Sequence, residues 1–298
     1  MNAMSIIAAA ASKWPMEVRF PGLGISFDID RVAFRIGSFE IYWYALLIML
    51  GFVLAVTYAF KRSKYFGLDA DSMTDVITVG LVSAVVCARA FYVIFRLENY
   101  DSFWEIINIR DGGIAIYGAV IGAFGSGLIT CRLKKVDTLA MFDVAAVGFL
   151  IGQCLGRWGN FMNQEAFGSA TSLPWGMESA NTLAVVADSP VHPCFLYESI
   201  WCLIGFIGLD IVSRKCYKFK GQLLLMYVVW YGMGRVWIEG LRTDSLWLVP
   251  DVIRVSQLIA GLSILVIPVI VLAFMGKIKI FTPSEPELAK QKLKEQNA

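Results

Sequence analysis

Seven apolar runs, each long enough to cross a lipid bilayer as a helix, constrain the fold of this chain more than any other feature. A bilayer core about 30 Å thick requires about 20 apolar residues per helix. The runs are unbroken, whereas the strands of a membrane barrel alternate apolar and polar residues. They cover residues 39–60, 75–97, 112–131, 139–156, 193–213, 221–240 and 252–275. The sequence therefore predicts an all-α polytopic membrane protein with seven transmembrane helices.

Composition agrees with this prediction. Of the 298 residues, 57% are hydrophobic and 17% are charged, and the mean hydropathy is +0.64. These values exclude an ordinary soluble domain of this length. The net charge of +2 gives no reason to expect a nucleic-acid partner.

Lysines and arginines are distributed unequally between the connecting segments. Basic clusters follow the first, third, fifth and seventh runs, at residues 61–64, 132–135, 214–220 and 277–279. The alternate segments carry single arginines, namely Arg110, Arg157 and Arg242. Because short cytoplasmic loops are enriched in Lys and Arg, the N-terminus is predicted to lie outside and the C-terminus in the cytoplasm.

The same runs divide the chain into regions. Residues 1–38 are predicted to form an external arm, residues 39–275 the seven-helix transmembrane domain, and residues 276–298 a cytoplasmic tail. The apolar segment 1–12 lacks the basic residues that begin a signal peptide, so it is assigned to the arm. Residues 157–192 are the one long loop between runs and are predicted to form a small external head.

Charged side chains inside the runs are the most informative residues, because each one costs about 2.5 to 3.5 kcal/mol to insert into a bilayer. Arg89 lies in the second run, Glu198 in the fifth, and Arg235 and Glu239 in the sixth. In the predicted orientation all four lie in the outer half of the membrane, which a cavity open to the outer leaflet would explain. The alternative is that Arg235 and Glu239 neutralise each other inside the bundle while Arg89 extends toward the surface.

Helical spacing groups the polar residues of the sixth run. Tyr231, Arg235 and Glu239 recur every four residues, and Arg242 follows three residues later, so they share one face of the helix. Arginine donates paired hydrogen bonds to phosphate oxygens and stays charged at any relevant pH. The stripe therefore predicts an anion site that suits a phospholipid head group.

Glycine spacing predicts close packing of two of the helices. Gly148, Gly152 and Gly156 in the fourth run stand four residues apart, as do Gly118 and Gly122 in the third. This pattern lets helix backbones approach each other and carries no functional information by itself.

His192 is the single histidine, so a metal site built on imidazoles is almost excluded, and neither a metal nor another cofactor is predicted. The six cysteines contain no C-x-x-C pair and are predicted to be buried thiols. Ser126, between two glycines, would suit an intramembrane serine protease. Its base would have to be a histidine, however, and His192 is predicted to lie near the surface.

The fourth run ends in a distinctive segment, G-R-W-G-N-F-M-N-Q-E at residues 156–165. It resembles the signature of the prolipoprotein diacylglyceryl transferase family, G-R-x-G-N-F-x-N-x-E, at every fixed position. Further landmarks of that family appear in order, at residues 42–44 with 51–52, 111–113, 192–193 with 197–198, and 231–242. The resemblance covers roughly residues 30 to 260 and implies a multi-pass enzyme of the bacterial plasma membrane whose active site faces the outer leaflet.

The resemblance implies transfer of the diacylglyceryl group of phosphatidylglycerol to the lipobox cysteine of a preprolipoprotein, with glycerol-1-phosphate as the leaving group. Arg157 and Arg235 would stabilise the leaving phosphate. The thiol must lose a proton, and the candidate bases are Glu239, Glu198, His192 or a carboxylate that acts through water. No covalent enzyme intermediate is required.

The remaining candidates would bind substrate. Asn160, Asn163 and Glu165 would hold the arginines and the head group in place, although asparagines are also common in turns and helix caps. Tyr44 would bond the glycerol or the phosphate, or else belong to an interfacial aromatic belt. The other candidate substrate-binding residues are Tyr231, Glu198, Arg242 and Arg89.

One position departs from the family pattern, because many members carry histidine where this chain has Tyr117. Tyrosine, with a pKa near 10, is a poor base at neutral pH, so the assignment of the base stays open although Tyr117 remains a candidate catalytic residue. The alternative function is a lipid or solute transporter with an outward-facing anion site. Such transporters commonly show an internal repeat, which this sequence lacks.

Overall fold

The computed structural model describes residues 14–100, 102–108, 112–187, 189–243, 247–249 and 253–296. Most of these residues are helical. The helices are α1 (Trp43–Arg62), α2 (Ala70–Ile94), α3 (Phe103–Ile107), α4 (Ile116–Leu133), α5 (Thr138–Asn163), α6 (Ala180–Val185), α7 (Cys194–Lys215), α8 (Gln222–Leu241), α9 (Val255–Leu262), α10 (Val266–Phe274) and α11 (Glu285–Gln296). The strands are β1 (Met16–Phe20), β2 (Ile25–Ile29), β3 (Val32–Ile36), β4 (Phe39–Tyr42), β5 (Glu178–Ser179), β6 (Trp247–Val249) and β7 (Ile253–Arg254).

The chain forms two compact units. The first holds the described residues up to Ala59 together with Ala145–Pro283. The second holds Phe60–Val144 together with the described residues from Ser284 onward.

Six helical segments of the described chain are long and apolar enough to cross a membrane. They are Trp43–Phe66, Ala70–Ile94, Ile116–Leu133, Thr138–Asn163, Cys194–Lys215 and Ser256–Phe274. The predicted sixth span, residues 221–240, is present as α8 but is not one of these six, because its polar stripe lowers its mean hydropathy. A mostly helical, polytopic membrane protein is therefore confirmed, while seven spans and the orientation stay predictions.

The predicted span boundaries carry a tolerance of roughly 2 to 4 residues, and several observed helix ends differ from them. The second helix starts at Ala70, before the predicted residue 75, and two further differences have a local reason. Residues 39–42 form the strand β4, so the first helix begins at Trp43. The third span begins at Ile116, because Gly112 and Gly113 adopt left-handed φ angles of 86° and 83° that end any helical path through them.

Helix α5 was also predicted too short. It continues to Asn163, so residues 157–163 belong to the helix and not to the external loop. The loop begins at Gln164, whose φ of 50° is incompatible with a helix. The segment 1–12, Arg110 and Asp111 lie outside the described residues.

The all-α prediction is incomplete outside the spans, where short strands occur. β1 pairs antiparallel with both β2 and β5, which gives a three-stranded sheet of order β2-β1-β5. Val18 lies opposite Ser179, and Arg19 lies opposite Glu178 and forms an ion pair with it at 3.5 Å. The described part of the N-terminal arm and the loop after α5 are therefore one folded head. Two further hairpins pair β3 with β4 and β6 with β7.

An apolar core supports this head. Its buried residues are Val18, Ile29, Phe161, Phe167, Met177, Val191 and Phe195. The rings of Phe161 and Phe195 stack with centroids 4.5 Å apart. Because Phe161 belongs to α5 and Phe195 to α7, the core joins the head to the ends of two membrane helices.

Glycines bring helices into close contact, as their spacing predicts. In the second unit, a β-carbon at Gly122 would lie 2.5 Å from the carbonyl oxygen of Ser83, and one at Gly118 would collide in the same way. In the first unit, a β-carbon at Gly51 would lie 3.1 Å from the Cα atom of Gly152. Small residues therefore let α2 approach α4 and α1 approach α5.

All six cysteines are free thiols. Cys131, Cys194 and Cys202 are buried, as predicted, but Cys216 is exposed, so the prediction of buried thiols was wrong there. Cys216 follows Lys215, the last residue of α7.

Candidate functional site

One buried carboxylate joins two arginines from different helices. The Oε1 atom of Glu198 on α7 lies 2.7 Å from Nη2 of Arg157 on α5. Its Oε2 atom lies 3.3 Å from Nη1 of Arg235 on α8. The Tyr231 hydroxyl also donates to Oε1, at 3.3 Å. The Glu198 side chain is 3% exposed, so its charge is neutralised almost entirely by these protein partners.

The predicted stripe of α8 completes this network. Arg235 donates from Nη2 to the carboxylate of Glu239, one helical turn further along. The Glu239 backbone carbonyl accepts a hydrogen bond from Nη1 of Arg254, at the end of β7. Arg254 was missed by the sequence analysis, although a charge at the start of the apolar run 252–275 was a signal that could have found it.

The signature segment forms a chain of hydrogen bonds around the end of α5. Arg157 donates from Nη1 to Oδ1 of Asn160 at 3.2 Å. Asn160 and Asn163 both donate from Nδ2 to Oε1 of Glu165, at 2.9 Å and 3.3 Å. The left-handed Gln164 turns the chain so that Glu165 faces back toward the helix. Asn160 therefore links Arg157 to Glu165, and Asn163 is bonded to Glu165 as well.

Two tryptophans fix the distance between α7 and α8. Trp201 donates from Nε1 to the carbonyl of Trp230 at 2.9 Å, and Trp230 donates to the carbonyl of Trp201 at 3.0 Å. Their rings stack with centroids 4.4 Å apart. A β-carbon at Gly205 would collide with Trp230, and one at Gly234 would collide with Trp201. We call Trp201 and Trp230 the indole clasp; it holds α7, which carries Glu198, against α8, which carries Arg235.

Ser199 ties α7 to α5 in the same region. Its hydroxyl donates to the carbonyl of Cys154 at 3.0 Å and accepts from Nε1 of Trp158 at 3.1 Å. Since Trp158 follows Arg157 directly, this contact fixes the backbone that carries the arginine.

Tyr44 packs against the signature segment. A β-carbon at Gly159 would lie 2.6 Å from Cδ2 of the Tyr44 ring. The tyrosine is the second residue of α1, so it lies at the same end of the first unit as Arg157. Tyr44 therefore packs beside the segment that carries Arg157.

His192 belongs to the head and has different partners. Its Nδ1 atom lies 3.1 Å from the Tyr197 hydroxyl, which also accepts a hydrogen bond from Trp175. Its backbone amide and carbonyl bond to Ser169 and Gly168. Desolvation lowers the pKa of His192 below its usual 6.5, so the imidazole is neutral at pH 7.

Arg242 follows the last residue of α8, and its backbone forms an isolated bridge with Gly168. This bridge brings the end of α8 to the segment that follows the signature. A β-carbon at Gly168 would lie 2.7 Å from Cβ of His192 and 3.1 Å from the Leu241 carbonyl oxygen, so only glycine fits there.

The second unit holds the other two candidates. Tyr117 is the second residue of α4 and is 48% exposed. Arg89 is buried, and its guanidinium donates to four backbone carbonyls of the segment that joins α2 to α4. The Arg89 guanidinium is therefore hydrogen-bonded to the backbone of the connecting segment next to its own helix.

Comparison with known proteins decides the family. The family model described as prolipoprotein diacylglyceryl transferase matches residues 31–274. The chain belongs to the prolipoprotein diacylglyceryl transferase family. The resemblance drawn from residues 156–165 is thereby confirmed, and the chain is a bacterial membrane enzyme of the transferase class.

Curated relatives of this diacylglyceryl transferase match along most of its length. Phosphatidylglycerol–prolipoprotein diacylglyceryl transferase 1 of Clostridium perfringens is 42% identical over 257 residues, which are 84% of this chain and 97% of the relative. The transferase of Thermotoga maritima is 40% identical over 266 residues, 88% of each chain. That of Clostridioides difficile is 40% identical over 238 residues, 80% of this chain and 92% of the relative.

Proposed function

We propose that this chain transfers the diacylglyceryl group of phosphatidylglycerol to the lipobox cysteine of a preprolipoprotein, the first step of lipoprotein maturation. The family and the names of its relatives, which are transferases and not transporters, support the proposal. The observation that carries it is the meeting of Arg157 and Arg235 on the one carboxylate of Glu198.

In the proposed reaction, the cysteine sulfur attacks the glycerol carbon that bears the phosphate. A carbon–sulfur bond forms, the carbon–oxygen bond breaks, and glycerol phosphate leaves with the bonding electrons. The thiol proton passes to a base. The negative charge that grows on the departing phosphate must be stabilised while water is excluded.

The two arginines are suited to hold that phosphate. A guanidinium has five N–H donors, and the contacts within the described chain use two of them in Arg157 and two in Arg235. The unused donors can bind phosphate oxygens without releasing Glu198. Because the arginine side chains are only 21% and 16% exposed, charge-assisted bonds to them are stronger than they would be in open water.

For the proton, we propose Glu239, acting directly or through one water. Arg235 contacts Glu239, so the base and the departing phosphate would share one guanidinium. Glu198 already bridges Arg157 and Arg235, so we assign it the role of aligning the two arginines. His192 contacts Tyr197 in the head, so we assign it a structural role.

The remaining residues would position the substrate or the arginines. Asn160, Asn163 and Glu165 would orient Arg157 through their hydrogen-bond chain. We further propose that Tyr44, Tyr231 and Arg242 contact the head group. Arg89 is omitted from this set, since four of its five N–H donors already bond to backbone carbonyls.

We also propose that the chain crosses the bacterial plasma membrane seven times, with α8 as the additional span and its polar stripe turned toward the site. The basic clusters after α1, α4 and α7 support a cytoplasmic location for those helix ends. The arginine network, at the opposite ends of α5, α7 and α8, would then face the outer leaflet, where exported preproteins and phosphatidylglycerol both arrive.

The direct test uses purified protein in micelles that contain phosphatidylglycerol, together with a lipobox peptide. The wild type is expected to add a diacylglyceryl mass to the peptide cysteine and to release glycerol phosphate, whereas R157A and R235A are expected to do neither. A wild-type preparation shown to be folded that gives no mass shift would refute the enzymatic proposal.

A further inference from the structure

Helix α3 presents a row of large apolar side chains that the rest of the described chain leaves uncovered. Phe103, Trp104 and Ile107 are 68%, 78% and 51% exposed. Phe103 and Ile107, four residues apart, share one face of the helix, and Trp104 lies beside that face, about 100° further around the axis. A cluster of this kind normally marks contact with a lipid or a protein.

Arg89 holds the backbone of this helix to the membrane helix α2. It donates from Nη2 to the carbonyl of Glu105 and from Nε to that of Ile106, both at 2.7 Å. It also donates from Nη1 to the carbonyls of Gly112 and Gly113, both at 2.8 Å. A buried guanidinium whose planar fork is matched by four carbonyls fixes the backbone of α3 itself and of the residues that follow it at Gly112 and Gly113.

The segment around α3 is adapted to this arrangement. The Tyr100 ring lies 5.1 Å from the guanidinium carbon of Arg89 and covers it. Gly113 has a φ of 83°, and a β-carbon there would collide with the guanidinium. The Ala115 amide donates to the Ala88 carbonyl at 3.0 Å, which anchors the end of the segment beside Arg89.

These contacts set the depth of α3 relative to the bilayer. Helix α2 ends at Ile94, and Arg89 lies five residues before that end, or about 7.5 Å along the axis. The α3 carbonyls bonded to Arg89 therefore lie near the end of α2, a helix with the length and apolar composition of a membrane span. Tryptophan and phenylalanine at that level meet the boundary between head groups and acyl chains, where aromatic residues are enriched.

We propose that α3 is an interfacial helix, which inserts Phe103, Trp104 and Ile107 into the lipid at the membrane surface where α2 ends, and that Arg89 is the positioning residue that keeps it there. The partner is the lipid of the host bilayer. This role differs from that of the arginine network and does not depend on the transferase reaction.

The test is photocrosslinking in proteoliposomes of phosphatidylglycerol and phosphatidylethanolamine. A benzophenone amino acid replaces Trp104 in one preparation and Glu105, the next residue around the helix, in a matched control. We expect lipid adducts at position 104 to exceed those at position 105 by on the order of tenfold. Equal yields at both positions, or adducts at position 104 only with an added lipobox peptide, would overturn the proposal.

A second comparison tests the role of Arg89. Lysine keeps the charge but cannot present a planar fork to four carbonyls, so R89K is expected to lower the lipid adducts at position 104 several-fold. R96K is the control, since Arg96 lies beyond the end of α2 and stacks on Tyr92 at 5.6 Å. An unchanged adduct yield in folded R89K would contradict the positioning role, and the comparison of positions 104 and 105 stands even if R89K does not fold.

Discussion

The ring of Tyr44 occupies the space that a side chain at Gly159 would need, with Cδ2 only 2.6 Å from the position of a β-carbon. This contact gives a physical reason for the second fixed glycine of the signature segment. It also links the position of Tyr44 to that of Arg157, two residues earlier on the same helix.

Replacement of Gly159 by alanine should therefore displace Tyr44 and disturb the approach to Arg157. We expect G159A to lose most transferase activity while the protein still folds in detergent. The matched control is G152A on the same helix, where a β-carbon meets nothing within 4 Å among the described residues. Equal peptide modification by the two variants would show that the contact has no functional role.

Neutralising Glu198 should affect both stability and turnover. E198A leaves Arg157 and Arg235 without their shared counter-charge, and loss of one partner of a buried ion pair typically destabilises a protein by about 3 to 5 kcal/mol. E198Q keeps the shape of the side chain, so this variant should be less destabilised than E198A. Its turnover should still be slow, because the arginines lose their alignment. Thermal unfolding in detergent and kcat on a lipobox peptide measure the two effects.

The control for that experiment is E178Q in the head. Glu178 pairs with Arg19 at 3.5 Å, but the arginine side chain is 49% exposed. Surface pairs of this kind contribute about 0 to 1 kcal/mol. A loss of stability in E178Q as large as that in E198A would contradict the importance assigned to the buried network.

The neutral state of His192 predicts how stability depends on pH. Desolvation lowers its pKa in the folded protein, so the unfolded chain binds the proton more readily. The stabilisation by the neutral imidazole is present above the pKa of the unfolded chain, near 6.5, and is lost as pH falls through the lower pKa of the folded protein. We expect H192Q to show a smaller decrease of Tm between pH 7 and pH 5 than the wild type; parallel curves would exclude this role.

Tyr117 stands where many family members carry histidine, and two substitutions separate its possible roles. If its hydroxyl takes part in proton transfer or binds substrate, Y117F should lose turnover because phenylalanine has no polar group. Y117H should retain it, since imidazole can donate and accept hydrogen bonds. Undiminished turnover of both variants in the micelle assay would remove this position from the chemistry.

The indole clasp predicts which glycines of α7 tolerate a methyl group. G205A forces a β-carbon into Trp230, whereas a β-carbon at Gly208 meets nothing within 4 Å in the described part of the chain. We expect G205A to lower Tm by several degrees and G208A to leave it nearly unchanged. Similar Tm values for the two variants would show that the helices can separate without loss of stability.

The long helices and the polar face of α8 could be predicted from the sequence, because hydropathy and helical spacing are local properties. The runs located the long helices, and the spacing of Tyr231, Arg235 and Glu239 predicted the face that meets Glu198. For the charges on different helices, the only grouping that the sequence offered was their predicted depth in the membrane, because a charge in lipid requires a partner.

The rest depended on contacts between distant parts of the chain. The pairing of β1 with β5 joins residues that are far apart in sequence, and short strands have no strong pattern. Arg89 was predicted to bind substrate because burial of a charge is visible in sequence, whereas its choice of carbonyl partners is not. The continuation of α5 through Asn163 was missed because glycine and asparagine ordinarily indicate a loop.

Because α5 continues through Asn163, the signature residues 156–163 form the end of one helix that begins at Thr138. A helix that is longer than the hydrocarbon layer is thick can accommodate the difference by tilting. A tilt of α5 would then move its side chains together, including those of Arg157, Asn160 and Asn163. We therefore expect the lipid composition of the host membrane to affect the height of these side chains, so that acyl-chain length would influence the proposed reaction apart from its role in the donor lipid.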